Sequence, residues 1–265
     1  MSARHPLTMA MSISPGLVGV LGGMGPLATI DFMRKVLQAT PACADQDHVP
    51  LVVSSIPQVP DRSAAFRGDG ASPLAAMVAS GQRLADAGVG LIAMPCNTAH
   101  LWFDELQQAL EVPMLHIVDA AIEDAIDKVG PQAPLGLLCT DGTLASGLYM
   151  NRAPWRAQWT LPTAAEMLNW VMPGIDAVKA GDLLRGEALL QQAAQALARR
   201  GARALVLGCT EVPVVLDDSN TQVPVVDATA SLARRVVKWS TAQRGLPLAE
   251  AEAGAVAPAL CASAG

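Results

Sequence analysis

The chain has 265 residues, 51% of them hydrophobic, 16% charged and 3% aromatic, and its 18 Lys and Arg against 24 Asp and Glu leave a net charge of −6. This composition supports a large core and excludes global disorder, and the acidic balance excludes the basic face that nucleic-acid binding requires. Mean hydropathy is positive, +0.32, but the longest charge-free stretch, between Arg4 and Asp31, is broken by Pro6, Pro15, Gly16, Gly22, Gly23 and Pro26 and cannot be one spanning helix.

Taken along the chain, residues 17–21 read as a strand feeding the glycine loop Gly22-Gly23-Met24-Gly25. Residues 27–39 read as a helix, with Ile30, Met33, Val36 and Leu37 at helical spacing. Residues 51–54 form the next strand. Ser72 is placed to cap a helix that begins with Pro73 and stops at Gly88. A buried strand over 89–94 ends at Pro95-Cys96, a helix covers 99–110, and 112–115 form another strand. The pattern then restarts. Residues 135–138 form a strand running into the loop Thr140-Asp141-Gly142-Thr143, with helices over 164–179 and 183–200. A strand over 203–207 ends at Gly208-Cys209, and a strand over 223–226 leads into a helix through Trp239. Alternation of this kind predicts an α/β fold with parallel sheets. The first fourteen residues are poorly specified, and the segment from Gly245 has no apolar period, so disordered tails are expected over 1–15 and 245–265.

The restart repeats chemistry as well as element order. The segment from Gly19 to Thr29 aligns with that from Gly136 to Ser146, with glycine, leucine and alanine recurring in place. Cys96-Asn97-Thr98 and Cys209-Thr210 each close a buried strand, Val112-Pro113 and Val223-Pro224 follow, and Arg62 and Lys179 sit between loop and cysteine in each half. Chance similarity between α/β units is the competing reading, and three distinct features in the same order weigh against it. The expected architecture is two Rossmann-like parallel-sheet lobes related by a pseudo-two-fold axis. Lobe 1 would cover 16–115, completed by 223–242, and lobe 2 would cover 116–222, with ligands bound in the cleft between them.

The five cysteines, Cys43, Cys96, Cys139, Cys209 and Cys261, are odd in number and contain no CxxC pair, which argues against a disulfide framework or a structural zinc site. A secretory signal after Arg4 competes weakly, because Ser12, Ser14 and Pro15 interrupt its apolar part; a cytoplasmic location is expected. Cys43, Cys139 and Cys261 read as packing residues. Cys96 and Cys209 are followed by polar residues and would face each other across the cleft at helix starts, where N–H groups and the helix dipole lower a thiol's pKa. Opposed thiols suit a two-base proton exchange at carbon, one removing a proton and the other delivering one. A metal held by Cys96 and His100, with some role for His116, lacks further ligands at useful spacing. Arg62 and Lys179 could hold an acidic substrate or be solvated surface charges. Thr98, Thr140, Thr143 and Thr210 could bind a carboxylate or serve only as helix caps. The Gly22–Gly25 loop lacks G-x-G-x-x-G spacing, so NAD is discounted.

On the segments GGMGPLAT at 22–29, PDR at 60–62, CNTAH at 96–100, TDGT at 140–143, VKAG at 178–181 and LGCTE at 207–211, the sequence resembles the aspartate/glutamate racemase family, over roughly residues 16–240. The resemblance implies homodimers working without pyridoxal phosphate or metal. It implies Cys96 and Cys209 as the acid/base thiols, with Cys209 taking the proton from the L-enantiomer and Cys96 from the D-enantiomer. It also places Met24 at the substrate, Asn97, Thr98, Thr140, Thr143 and Thr210 around the α-carboxylate and amino group, and Arg62 and Lys179 on the side-chain carboxylate. Glu211 stands where glutamate racemases resemble G-C-T-H, which favours the aspartate branch, and Cys139 departs from a commonly small residue. The expected partner is a small acidic amino acid, with neither nucleic acid nor membrane. A cysteine-dependent decarboxylase or cis–trans isomerase of a small diacid, and a non-catalytic amino-acid-binding protein, are the alternatives.

Overall fold

The computed structural model describes residues 14–152 and 157–246. The tails expected over 1–15 and 245–265 therefore lie almost wholly outside the described residues. In chain order the elements begin β1 (Val18–Gly22), α1 (Pro26–Ala39), β2 (Leu51–Ser55), α2 (Arg62–Arg67), α3 (Leu74–Asp86), β3 (Leu91–Ala93), α4 (Phe103–Ala109), β4 (Met114–Leu115) and α5 (Ile117–Val129). They continue β5 (Pro134–Leu138), α6 (Asp141–Ala145), α7 (Leu148–Arg152), β6 (Gln158–Thr160), α8 (Ala164–Glu166), α9 (Met172–Lys179), α10 (Leu183–Arg199), β7 (Ala204–Leu207), β8 (Val225–Asp227) and α11 (Ala228–Gln243).

Two four-stranded, all-parallel sheets result, ordered β2-β1-β3-β4 and β6-β5-β7-β8. The second order is the first with each strand replaced by its repeat, the architecture expected of a duplicated α/β lobe. Strand residues alternate between two cores because successive side chains point to opposite faces. Val18 and Val20 of β1, with Leu135 and Leu137 of β5, enter one shared core beneath α1, α5 and α11, while Leu21 and Ile92 face an outer core under α3 and α4. Leu138, Leu205 and Leu207 face the other outer core, under α9 and α10. The lobes are therefore fused through a common helical layer.

The domain boundary needs one correction. Residues 223–227 do not complete lobe 1: β8 hydrogen-bonds β7 in register Leu205↔Val225 to Leu207↔Asp227, so this strand closes the second sheet, as β4 closes the first. Only α11 crosses back, packing on α1 and α5. Asp227 fixes that crossing. It caps α11 by accepting from Thr229 N and Ala230 N, and it pairs at 2.5 Å with Lys35 of α1. On α1 itself the buried face is Ala28, Phe32 and Val36, whereas Ile30, Met33 and Leu37 are exposed. Among the described residues no helix is long and apolar enough to cross a membrane.

Beneath the first sheet's carboxyl end, His100 is 3% exposed. Ile117 N donates to its Nε2 at 3.2 Å, which puts the ring proton on Nδ1, 2.8 Å from Cys96 O. Burial lowers its pKa to about 4. The unfolded chain then binds more protons than the folded one between the ordinary histidine value and about pH 4, so His100 contributes stability that is lost as pH falls through that window. A melting temperature that declines from pH 7 to pH 5, with a flatter slope in His100→Gln, is the expected result; a parent profile flat over that range would contradict it.

Candidate functional site

The carboxyl ends of β1, β3, β5 and β7 converge on a cleft between the lobes. Its walls are Met24, Asp61, Arg62, Ser63, Cys96, Asn97, Thr98, Thr140, Lys179, Cys209, Thr210 and Glu211. Nine of the ten residues singled out from sequence thus line one cavity. The tenth, Thr143, lies one row behind, fully buried, its hydroxyl 2.9 Å from Thr98 Oγ1 and 3.0 Å from Thr140 Oγ1. Thr98 and Thr140 are also 2.9 Å apart. These three hydroxyls form a closed triangle across the lobe boundary, which engages the donors that a carboxylate would otherwise meet. Thr140 additionally caps α6 through Thr143 N.

The Gly22–Gly25 loop reaches the cleft because Gly23 turns at φ +90°, where a Cβ would lie 2.4 Å from Ile56 N; only glycine fits there. Over the opposite side, α2 is capped by Asp61, which accepts from Ala64 N at 2.7 Å. It leans on α6, with Ser63 against Gly142 and Arg67 paired to Asp141 at 2.6 Å. The remaining cavity is about 20 Å³, room for about one water molecule. A ligand larger than water therefore needs side chains displaced or α2 parted from α6.

Both thiols are nearly enclosed, Cys96 at 5% and Cys209 at 4% exposure. The expected lowering of their thiol pKa values is corrected. The element after Cys96 is a 3-10 turn, Thr98–Trp102, and that after Cys209 is another, Val212–Val214. The first runs directly into α4. Burial pushes both thiol pKa values up, outweighing the N–H groups of Ala99 and Glu211 that favour the two thiolates. Their electrostatic neighbours differ. Arg62 and the Ala99 N–H oppose burial at Cys96. At Cys209, burial is reinforced by Glu211, to whose Oε2 the Cys209 Sγ donates at 3.0 Å, and opposed by Lys179.

Arg62 does not present an open guanidinium fork. Nη1 donates to Val59 O and Pro60 O, at 3.3 and 3.1 Å, and Nη2 donates to Met24 O at 3.3 Å, so it binds the glycine loop to α2. Lys179 is freer, with Asp176 at 3.8 Å as its ion-pair partner. Burial works against its ammonium, but Cys209, Glu211, Asp176 and Asp61 outweigh burial and hold its pKa above the ordinary lysine value. Asn97, 2% exposed, accepts from Tyr149 OH at 2.6 Å through Oδ1, while its Nδ2 has no partner among the described residues.

Glu211 and Tyr149 carry no assigned role in the sequence reading. For Glu211 the signal is present, an acidic residue two positions after Cys209; for Tyr149 there is none. His100 and His116 both make hydrogen bonds with the backbone. Both His100 nitrogens meet backbone groups, and His116 Nδ1 accepts from Val118 N to cap α5. Cys139 is buried at the end of β5, a packing position, whereas Cys43, also read as packing, is exposed beside a turn and its N–H donates to Asp47.

Residues 21–236 match the model of a family described as Asp/Glu/Hydantoin racemase. The chain is 30% identical over 230 residues to the broad specificity amino-acid racemase RacX of Bacillus subtilis (strain 168), covering 83% of this chain and 96% of the relative. Among solved structures, Picrophilus torridus aspartate racemase superposes with a TM-score of 0.77 at 32% identity, covering 86% of this chain and 97% of the other. A glutamate racemase from Francisella tularensis subsp. tularensis SCHU S4, in complex with D-glutamate, shares the fold at 14% identity and a TM-score of 0.63, over 90% and 85% of the two chains.

Proposed function

We propose, from the premise that the chain belongs to the Asp/Glu/Hydantoin racemase family and is an amino-acid racemase, that it interconverts L- and D-aspartate by proton transfer between Cys96 and Cys209. The carrying observation is that both thiols line one interlobe cleft together with Lys179 and Arg62. Cys96, beside the Arg62 cation, is the more readily ionised thiol and removes the α-proton. Cys209, held as a thiol by its bond to Glu211, donates to the opposite face of the carbanion. One turnover leaves Cys96 protonated and Cys209 as thiolate. Release of the Cys96 proton to solvent and return of a solvent proton to Cys209 through Glu211 then restore the starting state. In the reverse direction the roles of the thiols interchange, Cys209 meeting the L-enantiomer and Cys96 the D-enantiomer.

The α-carboxylate takes the unpartnered Asn97 Nδ2 and, once the hydroxyl triangle opens, Thr98, Thr140 and Thr210. These fixed donors stabilise the negative charge that spreads onto the carboxylate as the proton leaves. Lys179 meets the side-chain carboxylate. Chiral chromatography of each amino acid after incubation with the chain tests the reading. Aspartate should racemise fastest, and absence of any interconversion would overturn it.

A second reading, racemisation of a broad set of amino acids, is favoured by the similarity to RacX and by the engagement of Arg62 donors with backbone carbonyls. It is distinguished by comparable rates for neutral and acidic substrates in the same assay. On the family resemblance the working unit is a homodimer. Light scattering should give twice the 27.4 kDa chain mass, and a monomer mass would contradict it.

A further inference from the structure

Tyr149, on α7 of the second lobe, is the largest wholly buried side chain among the described residues and plays no part in moving a proton between the thiols. Its position is unusual because it touches the backbone neighbourhood of both cysteines. Its hydroxyl donates across the lobe boundary to Asn97 Oδ1, on the residue that follows Cys96. Its ring lies against Gly208, on the residue before Cys209: a Cβ built there would come within 3.0 Å of Cε2 and 3.2 Å of Cζ. Trp159 holds the same ring edge-to-face at a centroid distance of 5.7 Å.

The hydroxyl contact decides how the carboxamide is turned. A buried phenol must place its proton on an acceptor, and of the two ends of Asn97 only Oδ1 accepts. With Oδ1 engaged, Nδ2 keeps two N–H donors that find no partner, although Asn97 lines the cleft and is almost fully buried. Buried donors without acceptors are costly and uncommon in folded chains. An entering carboxylate would supply the missing acceptor.

We propose that Tyr149 is a positioning residue for racemisation: its hydroxyl fixes the Asn97 carboxamide with Nδ2 toward the substrate carboxylate, and its ring sets the approach of the Gly208–Cys209 backbone from the opposite lobe. The proposal rests on the racemase reading and assigns a cross-lobe contact to substrate recognition. Removing the hydroxyl while keeping the ring leaves Asn97 free to turn, so the loss falls on substrate binding and passes through Asn97 alone.

The test is a double-mutant cycle of Tyr149→Phe and Asn97→Ala, assayed by chiral chromatography of aspartate, with melting temperature followed in parallel. Tyr149→Phe should lower kcat/KM roughly tenfold, chiefly by raising KM. The same change should cost less than about twofold in the Asn97→Ala background, because coupled residues are not additive. Equal losses in the two backgrounds, or no loss in Tyr149→Phe, would overturn the proposal. If Tyr149→Phe does not fold, Asn97→Asp carries the test. It keeps an acceptor for Tyr149, replaces the donors with a carboxylate oxygen, and should raise KM about a hundredfold; an unchanged KM overturns the proposal as well. Failure of the racemase reading itself is a different result, a parent chain that interconverts no amino acid.

Discussion

Serine in place of Cys96 or Cys209 is expected to lower racemisation of aspartate by at least about a thousandfold, the scale of a lost acid/base group. The exchange of sulfur for oxygen is nearly isosteric in these buried positions, so the fold should survive. What changes is acidity, because a hydroxyl surrenders its proton far less readily than a thiol. The loss must be equal in both directions. Enantiomers have equal free energy, so kcat/KM for L and for D are bound to the same value in every variant. A claim that one cysteine serves one enantiomer cannot be tested by directional rates alone. Isotope exchange separates them. In heavy water the Cys96→Ser variant keeps Cys209, which can still remove the α-proton of L-aspartate and return a deuteron to the same face. Deuterium should therefore enter L-aspartate without inversion, while D-aspartate stays unlabelled. Cys209→Ser should show the mirror pattern. In the parent chain, early product carries deuterium at Cα and residual substrate does not. Full racemase activity in either variant would remove the two-thiol mechanism.

The duplication was legible because the residues that repeat stand at the carboxyl ends of buried strands. There, glycine loops and cysteines interrupt an otherwise apolar pattern, so their order survives as a signal. The strand orders of the two sheets reproduce it. The β6 strand escaped because it is a three-residue edge strand, half exposed, with no alternation to read. The helix Ile117–Val129 goes unassigned from sequence although Ile117, Ala121, Ile122 and Ala125 form a regular buried stripe. The sequence reads residues 223–242 as completing lobe 1 because sequence order does not say which strand a segment pairs with; for β8, hydrogen bonding to β7 decides it. On α1, spacing identified a helix but not its buried side, since apolar residues occupy both faces.

The site shows the same division. Residue types and order brought nine lining residues to the cleft, yet the environment of each thiol depends on contacts remote in sequence or on turn geometry. Arg62 lies 34 positions before Cys96, and Tyr149 meets Asn97 across 52. A 3-10 turn and an α-helix begin with similar residues, and burial of both cysteines depends on packing from the opposite lobe, so the raised thiol pKa values have no signal in the sequence.

Lys179→Gln is expected to raise KM for L-aspartate by roughly thirty- to a hundredfold, the worth of one charge-assisted hydrogen bond in a desolvated site. The cleft carries two cations, Arg62 and Lys179, against Asp61 and Glu211. Arg62 already gives donors to three backbone carbonyls, so Lys179 is the cation available to a second substrate carboxylate. Without it the wall carries one positive charge against two negative ones and repels a diacid. The same lysine also favours ionisation of Cys209, so its removal slows proton transfer for any substrate. The ratio of kcat/KM for aspartate to that for alanine cancels this shared effect and isolates binding of the side chain. That ratio should fall at least about tenfold in Lys179→Gln. An unchanged ratio would mean that Lys179 serves the thiol alone and that the preference for an acidic side chain must be abandoned.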